Sequence, residues 1–102
     1  MKIERKRMMN REEVIKILKE HQAEIRGLGA RRLGIFGSVA RNEGRAQSDL
    51  DFLVDLEYKT FDAYMDLKFF LEDIFQCRVD LVLIDSIKPG LRENILKETV
   101  YV

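Results

Sequence analysis

Two aspartates, Asp49 and Asp51, are the residues of this sequence whose types and spacing most clearly suggest chemistry. They stand where apolar and acidic residues alternate with the period of a β-strand, so both side chains project from one face of that strand. Neighbouring carboxylates repel each other, and a basic partner, a shared proton or a hard divalent cation relieves that repulsion. The pattern therefore allows two interpretations, an ordinary solvated strand face or a pair of metal ligands.

A Gly-Ser pair, Gly37-Ser38, directly follows a short apolar run, and the residues up to Arg41 can start a helical turn. Glycine lets the backbone approach a ligand closely, serine supplies a hydroxyl, and N–H groups at the start of a helix attract anions. A Gly-Ser pair alone is common at strand ends. The spacing G-S-x10-D-x-D is more demanding, and it predicts a phosphate-binding turn beside a metal-binding carboxylate pair.

A third aspartate, Asp80, lies within an apolar segment, on the strand face opposite its apolar neighbours. A carboxylate in such a segment is costly unless it is exposed, paired or coordinated. If its strand is adjacent to the strand of the first two aspartates, three carboxylates share one face and can hold two magnesium ions around the phosphates of a nucleotide. The alternative is an edge carboxylate that pairs with Arg78 or Arg41.

The remaining residues predict the elements that position these groups. Asn10 with Glu13 resembles a capping box, and the apolar spacing after it predicts a helix of about four turns that ends near Gly27 and Gly29. Thr60 can cap a second long helix, and Pro89 suits the first turn of a last one. Strands are predicted at residues 32–36, 50–56 and 77–84, with a polar loop at residues 42–48 and a β-prone tail at residues 99–102.

The order of these elements predicts an α/β (α+β) protein, a small three-stranded mixed sheet with helices packed on one face. The long helix between the second and third strands implies a parallel crossover, whereas the short connection between the first and second favours antiparallel pairing. No repeat or linker interrupts the chain, so residues 1–102 are expected to form one domain.

Composition narrows the classes of function. The 18 Lys and Arg residues balance 18 Asp and Glu residues, and this zero net charge disfavours direct binding to nucleic acid or to an anionic membrane surface. With Cys77 and His21 as the single residues of their types, an internal disulfide, a zinc cluster and a Cys-His catalytic pair are excluded. No membrane-spanning or signal-peptide run is present in the sequence, so a cytoplasmic location is expected.

Two segments resemble a known family. Residues 33–41, LGIFGSVAR, and residues 48–54, SDLDFLV, resemble the signature of the minimal nucleotidyltransferases of the DNA polymerase β-like superfamily. The resemblance extends over nearly the whole chain, to Tyr101. It implies a three-stranded mixed sheet with helices on one face, and transfer of a nucleoside monophosphate, usually AMP from ATP, with release of pyrophosphate.

The resemblance also implies roles for individual residues. Gly37 and Ser38 would hold the triphosphate, and Arg41 would contact its phosphates, unless Arg41 is a surface residue that pairs with Glu43 or Asp49.

The metal ligands follow from the same resemblance. Asp49 and Asp51 would bind both of two Mg²⁺ ions, and Asp80 would bind the ion that activates the acceptor hydroxyl.

Small stand-alone members of this family are antitoxins of two-gene modules whose toxin is a helical HEPN-domain ribonuclease. The resemblance therefore implies Mg²⁺-dependent transfer of AMP from ATP to a hydroxyl, that of a tyrosine, on a HEPN toxin, in a type VII-like toxin–antitoxin module. The alternatives are a binding-only antitoxin that occludes the HEPN toxin, and nucleotidyl transfer to RNA or a small molecule. Three carboxylates on one sheet face favour the enzyme, because occlusion needs none of them.

Overall fold

A computed structural model describes residues 10–41 and 49–102. The helices in these ranges are α1 (Arg11–Glu20), α2 (Gln22–Gly27), α3 (Gly37–Ala40), α4 (Phe61–Phe75) and α5 (Pro89–Glu98). The strands are β1 (Ala30–Phe36), β2 (Leu50–Leu56), β3 (Val79–Leu83) and β4 (Val100–Tyr101), and a 3-10 turn follows β3 at Ile84–Ser86. The polar loop predicted at residues 42–48 lies outside the described residues.

Within the described residues the strands form one mixed sheet in the order β3-β2-β1-β4. Strand β1 runs antiparallel to both β2 and β4, and β2 and β3 are parallel neighbours connected through α4. The predicted α/β class and both predicted pairings are confirmed. The predicted count of three strands is wrong, because the β-prone tail contributes a fourth strand, β4, to the described sheet.

Gly34 allows the tail to join the sheet. A Cβ at this position would clash with the side chain of Thr99 and with the backbone of β4, so the missing side chain lets β4 approach β1 closely. Tyr101 lies opposite Gly34, and the guanidinium of Arg32 stands 4.4 Å from the centre of its ring. This cation–π contact adds a side-chain attraction to a strand of only two residues.

The first helix and the long helix α4 begin at their predicted caps. The side chain of Asn10 accepts the N–H of Glu13 at 2.8 Å, and the carboxylate of Glu13 accepts the N–H of Asn10 at 3.2 Å, which completes the capping box. Thr60 likewise accepts the N–H of Ala63 at 3.1 Å and starts α4. The prediction of one continuous first helix is wrong at His21, which leaves helical geometry (φ −112°, ψ 19°) and separates α1 from α2.

The side chains of strand β2 alternate between the two faces of the sheet. Its alternate apolar side chains are buried and pack with the apolar faces of α1, α2 and α4; these strand residues are Leu50, Phe52, Val54 and Leu56. The opposite face of β2 carries Asp51, Leu53 and Asp55. Helices thus cover the apolar face, and the aspartates project from the other face, on which Leu53 is also buried.

None of the helices within residues 10–41 and 49–102 is long and apolar enough to cross a membrane.

Candidate active site

Asp51 and Asp80 are direct neighbours on the sheet face opposite the core. They are paired in the parallel ladder of β2 and β3, and strands so paired lie about 4.8 Å apart with paired side chains on the same face. Asp51 is half-buried and Asp80 is exposed. The structure therefore brings together two aspartates that are far apart in the sequence, because their strands are neighbours, which was the condition set for this proximity in the sequence analysis.

Asp49 lies just before β2 and is exposed. One residue, Leu50, separates it from Asp51 along the chain, and its charge is close enough to raise the pKa of that carboxyl. Across residues 10–41 and 49–102, no three Asp, Glu, His or Cys side chains form a closed cluster that could hold a metal ion. The carboxylates thus act on one another electrostatically without forming a closed cage.

The pKa of Asp51 is raised from 3.8 to about 6. Partial burial is the largest cause, the charges of Asp80, Asp49 and Glu98 follow in that order, and Arg41 acts in the opposite direction. A cation bound between these oxygens would relieve the repulsion. The residues present therefore fit a hard divalent metal ion, which prefers carboxylate oxygen ligands.

Gly37 lies directly against the carboxylate of Asp51. Strand β1 ends at Phe36, which is paired with Asp51, and Gly37 follows with a φ of +79°, a left-handed conformation that favours glycine. A Cβ at Gly37 would clash with the Oδ2 atom of Asp51. The backbone of the turn can therefore approach the carboxylate only because residue 37 is glycine. Ser38, half-buried, is the next residue of the same turn.

A carboxylate that the sequence analysis missed, that of Glu98 in α5, reaches the same turn. Its Oε2 accepts the N–H of Gly37 at 3.3 Å, and its Oε1 accepts the guanidinium of Arg41 at 2.8 Å. The sequence did not predict Glu98 as a partner of Arg41; of the two partners it did predict, Glu43 lies outside the described residues. One sequence signal was available: a glutamate in the last turn of a helix stands at the end where a negative charge is unfavourable.

Sequence comparison identifies the class. Residues 11–102 match the family described as the nucleotidyltransferase domain, so this chain belongs to the nucleotidyltransferase domain family. The protein adenylyltransferase MntA of Thermococcus cleftensis is 40% identical to it over 97 residues, which cover 93% of this chain and 98% of that protein. The predicted resemblance to the minimal nucleotidyltransferases is confirmed.

Solved structures agree with this assignment. A structure described as a minimal nucleotidyltransferase superimposes with a TM-score of 0.79 at 38% identity, and covers 90% of this chain and 95% of that one. A toxin–antitoxin crystal structure with AMP-PNP superimposes with a TM-score of 0.63 at 21% identity, and covers 91% of this chain and 72% of that one. The second likeness shows a shared fold.

Proposed function

We propose that this protein is a Mg²⁺-dependent adenylyltransferase that transfers AMP from ATP to a tyrosine hydroxyl of a HEPN ribonuclease toxin, and thereby acts as the antitoxin of a type VII-like module. Residues 1–102 form one nucleotidyltransferase domain in this proposal, and the reaction takes place in the cytoplasm, where ATP and a ribonuclease's substrates are available.

One observation carries the catalytic part of the proposal. Asp51 is held half-buried beside Asp80, with Gly37 pressed against its carboxylate and its pKa raised to about 6. Such like-charge crowding lowers the stability of a protein, so it indicates a site arranged for a ligand rather than for folding. The family to which the chain belongs supplies the reaction that uses such a site.

In this reaction the oxygen of the acceptor hydroxyl attacks the α-phosphorus of ATP. A new P–O bond forms, the bond from the α-phosphorus to the oxygen bridging to the β-phosphorus breaks, and pyrophosphate leaves while the hydroxyl proton passes to solvent. Gly37 and Ser38 hold the triphosphate by backbone and hydroxyl contacts, and Arg41 offsets the charge of its phosphates. Asp80, the exposed aspartate of the pair, orients the acceptor hydroxyl.

The residues that would hold magnesium are Asp49, Asp51 and Asp80. When bound, the ions neutralise charge on the triphosphate and on the departing pyrophosphate. The chain's own part is to supply the oxygens in a fixed register: the ladder of β2 and β3 sets Asp51 beside Asp80, and the glycine at position 37 leaves room for the carboxylate of Asp51 beside the turn.

The choice of acceptor rests on similarity. The Thermococcus cleftensis relative is named a protein adenylyltransferase, and a protein of the same fold is part of a toxin–antitoxin structure with an ATP analogue. The family resemblance adds the HEPN ribonuclease as partner. The zero net charge argues against an RNA acceptor held by this chain alone, and transfer to RNA or a small molecule remains the second candidate reaction.

The test is a transfer assay with α-labelled ATP, Mg²⁺ and the product of the adjacent gene. Label should appear on the partner, and mass spectrometry should find an added AMP on a tyrosine. The double variant Asp49→Ala/Asp51→Ala should transfer no label and should fail to neutralise the partner in cells.

A matched control is Asp55→Asn. Asp55 lies on the same strand and face as Asp51 but pairs with Lys59 at 3.6 Å, so its loss should leave transfer unchanged. If the wild type labels nothing, and the double aspartate variant still neutralises the partner, the enzymatic proposal is wrong and the binding-only antitoxin is correct. Label on RNA in place of protein would instead favour the second candidate reaction.

A further inference from the structure

The carboxylate of Glu98 ties together both ends of helix α3. One oxygen accepts the N–H of Gly37, the first residue of that helix, and the other accepts the guanidinium of Arg41, the residue just after its end. The two contacts join residues that are 61 and 57 positions apart in the sequence. Glu98 is thus a crosslink between α5 and the turn that approaches Asp51.

Helix α3 needs such support. It has four residues, and a single helical turn is unstable by itself because most of its backbone groups have no partner within the helix. Arg11 of α1 donates to the carbonyl of Ala40 at 3.0 Å and so holds the far end of the turn. Glu98 holds the first residue of the turn, Gly37, and the side chain of Arg41, which follows its last residue.

The position of Glu98 is electrostatically unfavourable for two reasons. Its negative charge stands in the last turn of α5, where the helix dipole disfavours an acid, and it adds to the repulsion that raises the pKa of Asp51. A side chain at the surface of α5 that served stability alone would be better neutral or basic. The two contacts with the turn explain why an acid is present.

We propose that Glu98 is a positioning residue, which orients Arg41 and the Gly37–Ser38 turn for the triphosphate without touching the nucleotide itself. This inference rests on the proposed function. A carboxylate with two acceptor oxygens matches the two donors, and fixing the long side chain of Arg41 before nucleotide arrives lowers the entropy lost on binding.

The experiment measures nucleotide affinity, with Mg²⁺ and a non-hydrolysable ATP analogue, by calorimetric titration. Glu98→Ala should weaken binding about tenfold, as expected for the loss of a charge-assisted hydrogen bond. Glu98→Gln keeps one acceptor oxygen and should recover part of that loss. In transfer assays, Glu98→Ala should raise KM for ATP more than it lowers kcat, because the residue acts on binding.

A double-mutant cycle with Arg41→Ala separates positioning from a general structural role. If Glu98 acts through Arg41, Glu98→Ala should weaken affinity much less in the Arg41→Ala background than in the wild type. Glu93→Ala is the matched control, since it removes an exposed glutamate from the same helix and should leave affinity unchanged.

Several results would overturn the inference. If Glu98→Ala binds the ATP analogue with unchanged affinity, Glu98 has no role in nucleotide binding. If it binds more tightly, the carboxylate of Glu98 competes with the phosphates. Fully additive losses in the cycle would make its role merely structural. If Glu98→Ala does not fold in thermal melts, the same cycle with Glu98→Gln decides. A wild type that binds no nucleotide overturns the proposed function. If the wild type binds nucleotide and Glu98→Ala binds it with the same affinity, this inference alone is overturned.

Discussion

Two carboxylates of this protein stand in opposite electrostatic surroundings. At the edge of β3, the Oε2 atom of Glu72 accepts the ammonium of Lys68 at 2.9 Å and the N–H of Val79 at 3.2 Å. The hydrogen bond from Lys68, followed by that from Val79, holds the pKa of Glu72 below its usual value of 4.5. Asp51, in contrast, is partly buried and lies among other acids, and both effects raise its pKa to about 6.

The surroundings of Glu72 have a structural purpose. Three residues of α4 spaced by four cover the open edge of β3: besides Glu72, Lys68 donates to the carbonyl of Val79 at 2.9 Å, and Tyr64 donates to the carbonyl of Leu81 at 2.7 Å. Side chains thus occupy backbone groups that would otherwise pair with another chain. A carboxylate with partners stabilises the fold, whereas Asp51, set among like charges, is available to a ligand.

The change with the largest expected effect is Asp51→Asn. Transfer activity should fall by about a thousandfold or more, because a neutral amide neither binds a metal ion strongly nor keeps the charge of the site. Metal-free stability should stay equal or rise, since the repulsion from Asp80 and Asp49 is removed. Label transfer and thermal melts in EDTA measure both effects, and an active or strongly destabilised Asp51→Asn would contradict the comparison.

Gly37→Ala tests the close approach of the turn to Asp51. A Cβ there meets the carboxylate, and the left-handed φ is unfavourable for alanine, so we expect a loss of about 2 kcal/mol in the free energy of unfolding, with reduced transfer. Urea denaturation provides the measurement. Gly27→Ala is the control, because open space surrounds Gly27 at the end of α2 and alanine favours helix there. Equal stability of the two variants would show that the turn is not constrained.

Lys68→Met tests the surroundings of Glu72 at the edge of β3. It removes the partner of Glu72 and the donor to the carbonyl of Val79, and should lower stability by about 1 kcal/mol. Transfer activity should remain unchanged. Lys16→Met, an exposed lysine of α1, is the control for loss of a surface charge. A Lys68→Met protein of full stability and low activity would reverse the roles assigned to the two regions.

The pH dependence of stability should show the two carboxylates acting in opposite directions. The folded pKa of Asp51 is raised, so its contribution is present below pH 3.8 and is lost as the pH rises through about 6. Allowing for its partial exposure, this loss is about 1 kcal/mol. The folded pKa of Glu72 is lowered, so its contribution is present above pH 4.5 and is lost as the pH falls.

Urea denaturation of the metal-free protein between pH 3 and 8 checks both signs. Asp51→Asn should remove the decline on the alkaline side, and Glu72→Gln should remove part of the decline on the acid side. A wild type whose stability rises steadily between pH 4 and pH 7 would mean that Asp51 is not crowded by like charges in solution.

Much of the candidate site could be predicted because its signals are local. The Gly37-Ser38 pair and the Asp49–Asp51 spacing each lie within a few residues, and the alternation along β2 assigns Asp51 to the face away from the core. The pairing of Asp51 with Asp80 was expected only in part: a long helix between two strands makes them parallel, but the structure shows that they are also neighbours. The roles of these residues in catalysis stay predictions that the variants above test.

Other features depended on distant parts of the chain. The fourth strand of the described sheet is two residues long, too short for a periodic signal, and it forms because Gly34 leaves room for it. His21 interrupts a helix whose apolar spacing continues on both sides, and the spacing alone gives no sign of that break.

The sequence by itself determined most of the elements, the face on which the aspartates lie and the family, because caps, periodicities and motifs act over a few neighbouring residues. Only the tertiary structure decided that β4 would close one edge of the described sheet, that the side chains of α4 would cover the other, and that Glu98 would bind the turn at Gly37. These contacts join residues of different elements, 11 positions apart for Lys68 and Val79 and 61 for Gly37 and Glu98, and their geometry exists only once the elements have packed against one another.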